Sequence, residues 1–262
     1  GKDKKVTVRF MHHQTYGFEA FFAKDSIAFV NPKTLKPIAY AKLKTAKLIN
    51  KREMQLELDG ALSDKVKVGD VIENSSWTPE VTIRNSRFER TNTRGMLLTT
   101  SRKVLVENNT FYRTGMHAIL IADDASSWFE SGAVRDVTIR NNTFQECSGT
   151  VINIAPENHE LVGGFYVHHN IKIENNIFNV FDSSIVSARS TDGLVLSNNV
   201  INNSTVLPMS TNDAVISLTA CKNVVVKNNK FNTNWKPKIT VDKMSKKELK
   251  SDIKNIKEGV LF

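Results

Sequence analysis

Cysteine is scarce: Cys147 and Cys221 are the only two in 262 residues. They lie far apart, each near an apolar segment, and no CxxC occurs. The expected state is two buried free thiols, not a disulfide framework or a thiolate metal site. Histidine is also sparse. His12-His13 and His168-His169 are adjacent pairs, whose side chains on a strand point to opposite faces. No metal-type cluster is visible, so no metal and no cofactor is expected. No apolar run approaches the length of a membrane span, and no membrane partner is expected. No signal peptide is visible, and Gly1 reads as an expression remnant. Nucleic-acid motifs are missing too. The net charge of +9 owes much to residues 236–258, which hold eight Lys against four acids. With no aromatic-interleaved basic groove, nucleic acid is not an expected partner.

What is present is a repeat. Six segments share one pattern: VTIRNSRF (81–88), VLVENNTF (104–111), VTIRNNTF (137–144), IKIENNIF (171–178), LVLSNNVI (194–201) and VVVKNNKF (224–231). Their last residues, Phe88, Phe111, Phe144, Phe178, Ile201 and Phe231, are spaced by 23, 33, 34, 23 and 30 residues. A basic turn of 23 residues with added loops explains the series. Apolar and polar residues alternate within each copy, as a half-buried strand requires. An Asn pair then turns the chain, and a Phe points back inside. A second strand follows at a fixed offset: MLLTT (96–100), ILIAD (119–123), INIAP (152–156) and VSARS (186–190), with ISLTA (216–220) after a longer loop. One such unit cannot bury its apolar face alone, but stacked copies can. The expected fold is all-β, with a right-handed parallel β-helix over 78–233. Asn85, Asn108, Asn141, Asn175, Asn198 and Asn228 are expected to form an inner asparagine ladder, each bond contributing roughly 1 kcal/mol net. Six copies in register make the NNT sequences structural turns rather than glycosylation acceptors.

Residues 1–77 lack this repeat. They read as short strands, VTVRF (6–10), SIAFV (26–30), PIAYAKLKTAKLI (37–49), MQLELDG (54–60) and VKVGDVIEN (66–74), with turns at Asn31-Pro32, Asp59-Gly60 and Gly69-Asp70. A small β-barrel or sandwich domain fits, joined near Ser76-Trp77-Thr78-Pro79. At the far end, residues 234–262 form a basic tail. Ser245-Lys246-Lys247-Glu248 is a capping-box pattern, predicting a short C-terminal helix with Leu249, Ile253 and Ile256 on one side, placed to cover the coil's end.

The chemistry gathers after the second strands. Their alignment puts Asp124 and Glu157 in one column, with Ser101 and Thr191 on the flanking rungs, and pairs Asp123 with Pro156. Each acid opens an insert. One carries Trp128 and Glu130, the other His159, Phe165, Tyr166 and His168. Carboxylates beside aromatic faces are the usual materials of a sugar site. Paired carboxylates also serve glycosidic acid/base chemistry, at roughly 5–5.5 Å for retention and 6.5–9.5 Å for inversion. Asp124, Glu157 and Glu130 are therefore candidate catalytic acids, and Arg94, Asp124, Trp128 and Glu130 candidate sugar contacts. The alternatives are structural: Asp124 capping backbone N–H groups, Trp128 stapling the insert, Arg94 pairing with Asp124 or Glu130.

TRGMLLTTSRKVLVENNTF (93–111), ILIADDASSWFESGAVRDVTIRNNTF (119–144), WTPEVTIRNSRF (77–88) and VRFMHHQTYGF (8–18) resemble glycoside hydrolase family 110 over residues 4–233. The resemblance implies a β-helix exo-α-galactosidase that cleaves α-1,3-linked galactose from glycans, blood-group-B-type glycans included, with inversion and without metal, exported by bacteria. One departure matters. The family's catalytic aspartates lie in an upstream Gly-Asp-Asp-Ala-x-Asn-x-His type motif that this sequence lacks, and Asp123-Asp124 corresponds to a different position. The expectation is a C-terminal portion of such an enzyme, inactive alone, whose Arg94, Asp124, Trp128 and Glu130 contact galactose. The alternatives are a self-sufficient glycosidase using Asp124, Glu157 or Glu130, and a non-catalytic glycan-binding β-helix. The exposed edge of the first rung predicts self-association.

Overall fold

The computed structural model describes residues 4–10, 21–130, 132–181, 184–208 and 215–258. The His12-His13 pair and residues 11–18 of the family-like opening segment lie outside the described residues. The chain divides into two compact units, Gly1–Thr78 with Ala125–Trp128, and Pro79–Asp124 with Phe129–Phe262.

The first unit holds five antiparallel strands in the order Lys5–Arg9, Glu53–Leu58, Pro37–Asn50, Ser26–Val30, Val71–Asn74. The long strand Pro37–Asn50 serves two neighbours. Its residues 37–42 pair with Ser26–Val30, and 43–50 pair with Glu53–Leu58 across register shifts. Such a strand bends the sheet around its apolar side. Ile27, Phe29, Leu43, Met54, Leu56 and Leu58 fill the enclosed core.

The second unit is a parallel β-helix with three sheets. The first contains Val81–Arg84, Lys103–Glu107, Asp136–Arg140, His168–Glu174, Thr191–Ser197, Val224–Lys227 and Leu249–Ser251. The second contains Arg87–Glu89, Thr110–Tyr112, Thr143–Gln145, Ile177–Val180, Val200–Asn203 and Lys230–Asn232. The third contains Met96–Leu98, Ile119–Ile121, Ile152–Ile154, Val186–Arg189, Ile216–Thr219, Ile239–Asp242 and Ile256–Glu258. Each repeated segment supplies a strand to the first sheet and another to the second, with the Asn pair at the corner between them. The inward column Phe88, Phe111, Phe144 and Phe178 stacks with ring centroids 4.9, 5.1 and 4.8 Å apart. Outside, Arg84, Glu107, Arg140 and Glu174 alternate in charge across one register column, and Arg140 pairs with Glu107 at 2.6 Å. Cys147 and Cys221 are free and buried. Burial pushes the Cys221 thiol up to about 11.

The asparagine ladder exists one residue later than expected. Asn85, Asn108, Asn141, Asn175, Asn198 and Asn228 instead take the left-handed corner, with φ between 53° and 56°, and face solvent. Asn pays less than other non-glycine residues for that conformation. The second member of each pair turns inward. Asn109, Asn142, Asn176 and Asn199 are at most 2% exposed, and each donates its side-chain amide to the next in line, ending on Asn229, at 2.9–3.0 Å. In the first copy Ser86 holds this place, and only its backbone N–H reaches Asn109.

The C-terminal helix is the second correction. Ser245 caps the Lys247 N–H at 3.2 Å, but the helix is one 3-10 turn, Lys246–Glu248. Leu249–Ser251 then pairs with Val224–Lys227, and Ile256–Glu258 with Ile239–Asp242. Leu249 and Ile253 face the core of this added turn. Extended chain satisfies the open backbone groups of the preceding rung, which a helix of this length cannot do. The coil therefore continues through Glu258.

Candidate functional site

The third sheet sets up the site. Ile119–Ile121 lies between Met96–Leu98 and Ile152–Ile154 in strict register. Hydrogen bonding continues past the strands: Ala155 donates to Ile121 O at 2.8 Å and Glu157 to Asp123 O at 2.9 Å. This continuation stacks Asp124 and Glu157 on adjacent rungs, as the alignment of the repeats required.

Asp123 and Asp124 are buried, at 7% and 2% exposure, and their roles differ. Asp123 Oδ1 accepts the Gly132 N–H at 3.4 Å, while the Asp124 N–H donates to Glu130 O at 3.1 Å. Together these bonds close the base of the first insert. Gly132 has φ +138°, and a Cβ there would lie 1.6 Å from Thr99 O, so only glycine fits. Asp123 is thus a fastener of the loop.

Asp124 and Glu157 share a side-chain hydrogen bond. Partial burial, then the Asp124 charge, push the Glu157 carboxyl above its ordinary range; Glu130 adds to the rise, and His159 opposes it. Arg94 Nη2 lies 3.3 Å from Glu130 Oε1, so of its two expected partners Arg94 takes Glu130. The structure therefore gathers Asp124, Glu157 and Glu130 into one acidic cluster with Arg94 at its side. Trp128 is 64% and Phe129 42% exposed, and Phe129 holds φ 55°.

The second insert contributes less than its composition suggested. His168 is fully buried; its Nδ1 accepts the Val134 N–H at 3.1 Å. Burial, aided by Arg135, lowers its pKa to about 3, so it is a neutral core residue. His169 lies beside it on the strand, half-buried, with Nε2 2.9 Å from Tyr166 O.

One residue escaped the reading of the sequence. His117 occupies the rung next to Arg94, since Gly95 donates to His117 O. Its Nε2 meets the Asn153 amide at 3.1 Å and its Nδ1 lies 2.8 Å from Thr150 O. With Asn153 as donor, Nε2 accepts and Nδ1 donates to the Thr150 carbonyl, and the two bonds fix the orientation of the ring. The only signal in sequence was its place two residues before the strand start at Ile119, in a column shared with Arg94, two residues before Met96. Among the described residues, no group of three or more His, Cys, Asp or Glu side chains could hold a metal ion, and no helix is long and apolar enough to cross a membrane.

Residues 5–72 match the family described as GLAA-B beta-barrel domain II. Alpha-1,3-galactosidase A of Bacteroides fragilis (strain YCH46) is 41% identical over 95% of this chain and 43% of its own length. Alpha-1,3-galactosidase A of Bacteroides thetaiotaomicron is 45% identical over 87% and 40%. Alpha-1,3-galactosidase B of the same organism is 39% identical over 94% and 42%. The chain is a homologue of part of the α-1,3-galactosidases. It spans less than half the length of these curated relatives, while they run through both of its units.

Proposed function

We propose that the chain forms the barrel and later rungs of a glycoside hydrolase acting on terminal α-1,3-linked galactose, and that Arg94, Asp124, Glu130 and Trp128 contact the sugar. The observation that carries this reading is the cluster at the end of the third sheet. Carboxylates and a guanidinium can share hydrogen bonds with ring hydroxyls, and an open indole can stack on an apolar sugar face. Catalysis with inversion needs carboxyls roughly 6.5–9.5 Å apart, with a water and the sugar between them. Asp124 and Glu157 touch through a hydrogen bond, which is too close. In this reading they bind and orient, and catalytic aspartates outside this chain act on the bond. The substrate is a galactose-ended glycan, met outside the bacterial cell.

A second reading draws on the raised Glu157 carboxyl next to Asp124. Neighbouring acids pushed apart in pKa are the usual arrangement of an acid/base pair. The deciding experiment incubates this 262-residue chain with an α-1,3-galactosyl disaccharide and follows the anomers by NMR. The proposal expects no turnover but saturation-transfer contact to galactose, lost in Asp124→Asn and Trp128→Ala. Turnover abolished by Glu157→Gln would establish the second reading. Neither turnover nor galactose contact would reject both.

A further inference from the structure

The outer face of the second sheet carries a feature that the galactose reading does not use. Tyr112 points outward there, and three guanidinium carbons lie around its ring: Arg113 at 5.0 Å, Arg87 at 5.3 Å and Arg90 at 6.0 Å from the centroid. Two of these cations are already balanced. Arg113 Nε pairs with the buried Glu146 carboxylate at 2.7 Å, and Arg87 pairs with Glu89. Arg90 is exposed and, among the described residues, has no carboxylate partner. The cluster therefore holds one uncompensated positive charge beside an aromatic ring. The Tyr112 column starts at Glu89, which Arg87 neutralises, and runs on across the rungs through the uncharged Gln145, Asn179 and Asn202 to Asn232.

That column is itself a row of amides. Asn202 donates to Asn179 Oδ1 at 2.9 Å, and Asn232 to Asn202 Oδ1 at 2.9 Å. Each side-chain amide has two N–H donors, so the second donor and the spare lone pairs remain for a ligand. The row repeats at about 4.8 Å per rung, comparable to the advance per sugar unit in an extended polysaccharide. A flat run of amides suits hydroxyl groups, and the cationic aromatic end suits an anion attached to a sugar ring.

We propose that this face is a second glycan-binding surface, separate from the acidic cluster, which takes an extended acidic glycan. Arg90 holds a sulfate or carboxylate group, Tyr112 with the guanidinium groups packed around its ring frames that end, and the Gln145–Asn232 row accompanies the following units.

The test measures affinity by electrophoresis of the folded chain through gels containing a sulfated galactan, polygalacturonate, an unsulfated galactan or a single-stranded oligonucleotide. The variants are Arg90→Asn, which tolerates the left-handed corner, combined with Tyr112→Ala, and a barrel control, Lys42→Ala with Lys47→Ala. Retention by the sulfated or the carboxylated polymer is expected, and which of the two binds identifies the anion. The Arg90/Tyr112 variant is expected to lose about tenfold in affinity, and the barrel control to lose none. The proposal is overturned if neither acidic polymer binds. It also fails if the unsulfated galactan binds as well, or if the Arg90/Tyr112 variant keeps full affinity. Equal losses in both variants would overturn it in favour of attraction to the net charge alone. Preferential binding of the oligonucleotide would make the surface a phosphate site instead.

Discussion

Asn142 accepts two hydrogen bonds from Asn109 through a single oxygen: the backbone N–H at 2.9 Å and the side-chain amide at 3.0 Å. Its own amide donates to Val106 O, Arg140 O and Asn176 Oδ1. One side chain thus satisfies buried backbone groups on two rungs. Replacing it with alanine strands the Asn109 N–H without a partner.

Asn142→Ala is therefore expected to cost about 3 kcal/mol or more, lowering the melting temperature of the coil by roughly 6–12 °C. Asn141→Gly, one residue earlier at the exposed corner, is expected to change stability by less than about 1 kcal/mol. Thermal unfolding followed by circular dichroism separates the two. Equal losses would contradict the division of labour between the paired asparagines.

Gly132→Ala tests the base of the first insert. With a Cβ aimed at Thr99 O and a φ of +138°, the backbone must move, and Glu130 moves with it. A loss of at least about 2 kcal/mol is expected, together with weaker galactose contact. Gly163→Ala, with nothing within 4 Å of its added Cβ, is expected to be neutral or slightly stabilising. Melting curves and saturation-transfer spectra of both variants provide the comparison.

The Glu157 carboxyl titrates above its ordinary value of 4.5 in the folded protein, chiefly through partial burial and then through Asp124. A raised acid favours the fold while it is protonated. Its contribution is complete below the unfolded value and fades as pH climbs through the higher folded value. Glu157→Gln should flatten that part of the stability profile, and Asp124→Asn should bring the Glu157 titration back toward 4.5. Carboxyl carbon chemical shifts across the pH series would read the second effect directly.

His168 behaves in the opposite sense. Its folded value of about 3 lies below the ordinary 6.5, so protons bind the unfolded chain first as pH falls. The stability it confers is whole above 6.5 and is lost as pH drops toward the folded value. At ~1.4 kcal/mol per unit, the fall from 6.5 to about 3 sets an upper bound of roughly 5 kcal/mol. His169, also lowered by burial and Arg135, acts in the same direction. His168→Gln is expected to make the coil less sensitive to acid, measured as a smaller drop in melting temperature between neutral and mildly acidic buffer.

Local sequence settled the architecture. Period-two alternation, an Asn pair and an inward aromatic recur often enough to specify strands, a corner and a stacking register, and therefore a parallel coil. The same offsets placed Asp124 above Glu157, because column alignment follows directly from the repeat. Where the repeat was silent, residue type alone could not choose. A helix cap and apolar residues at 249, 253 and 256 fit either a helix or another rung. The unpaired edge of the preceding turn decided it. Which asparagine faced inward depended on the corner's left-handed backbone, which alternation does not encode. The inserts carry no repeat at all. That Arg94 meets Glu130, that His168 is buried while His117 lines the outer face, and that Tyr112 gathers three arginines are consequences of stacking. Stacking brings residues far apart in the chain into contact, and only the assembled rungs determine which ones meet.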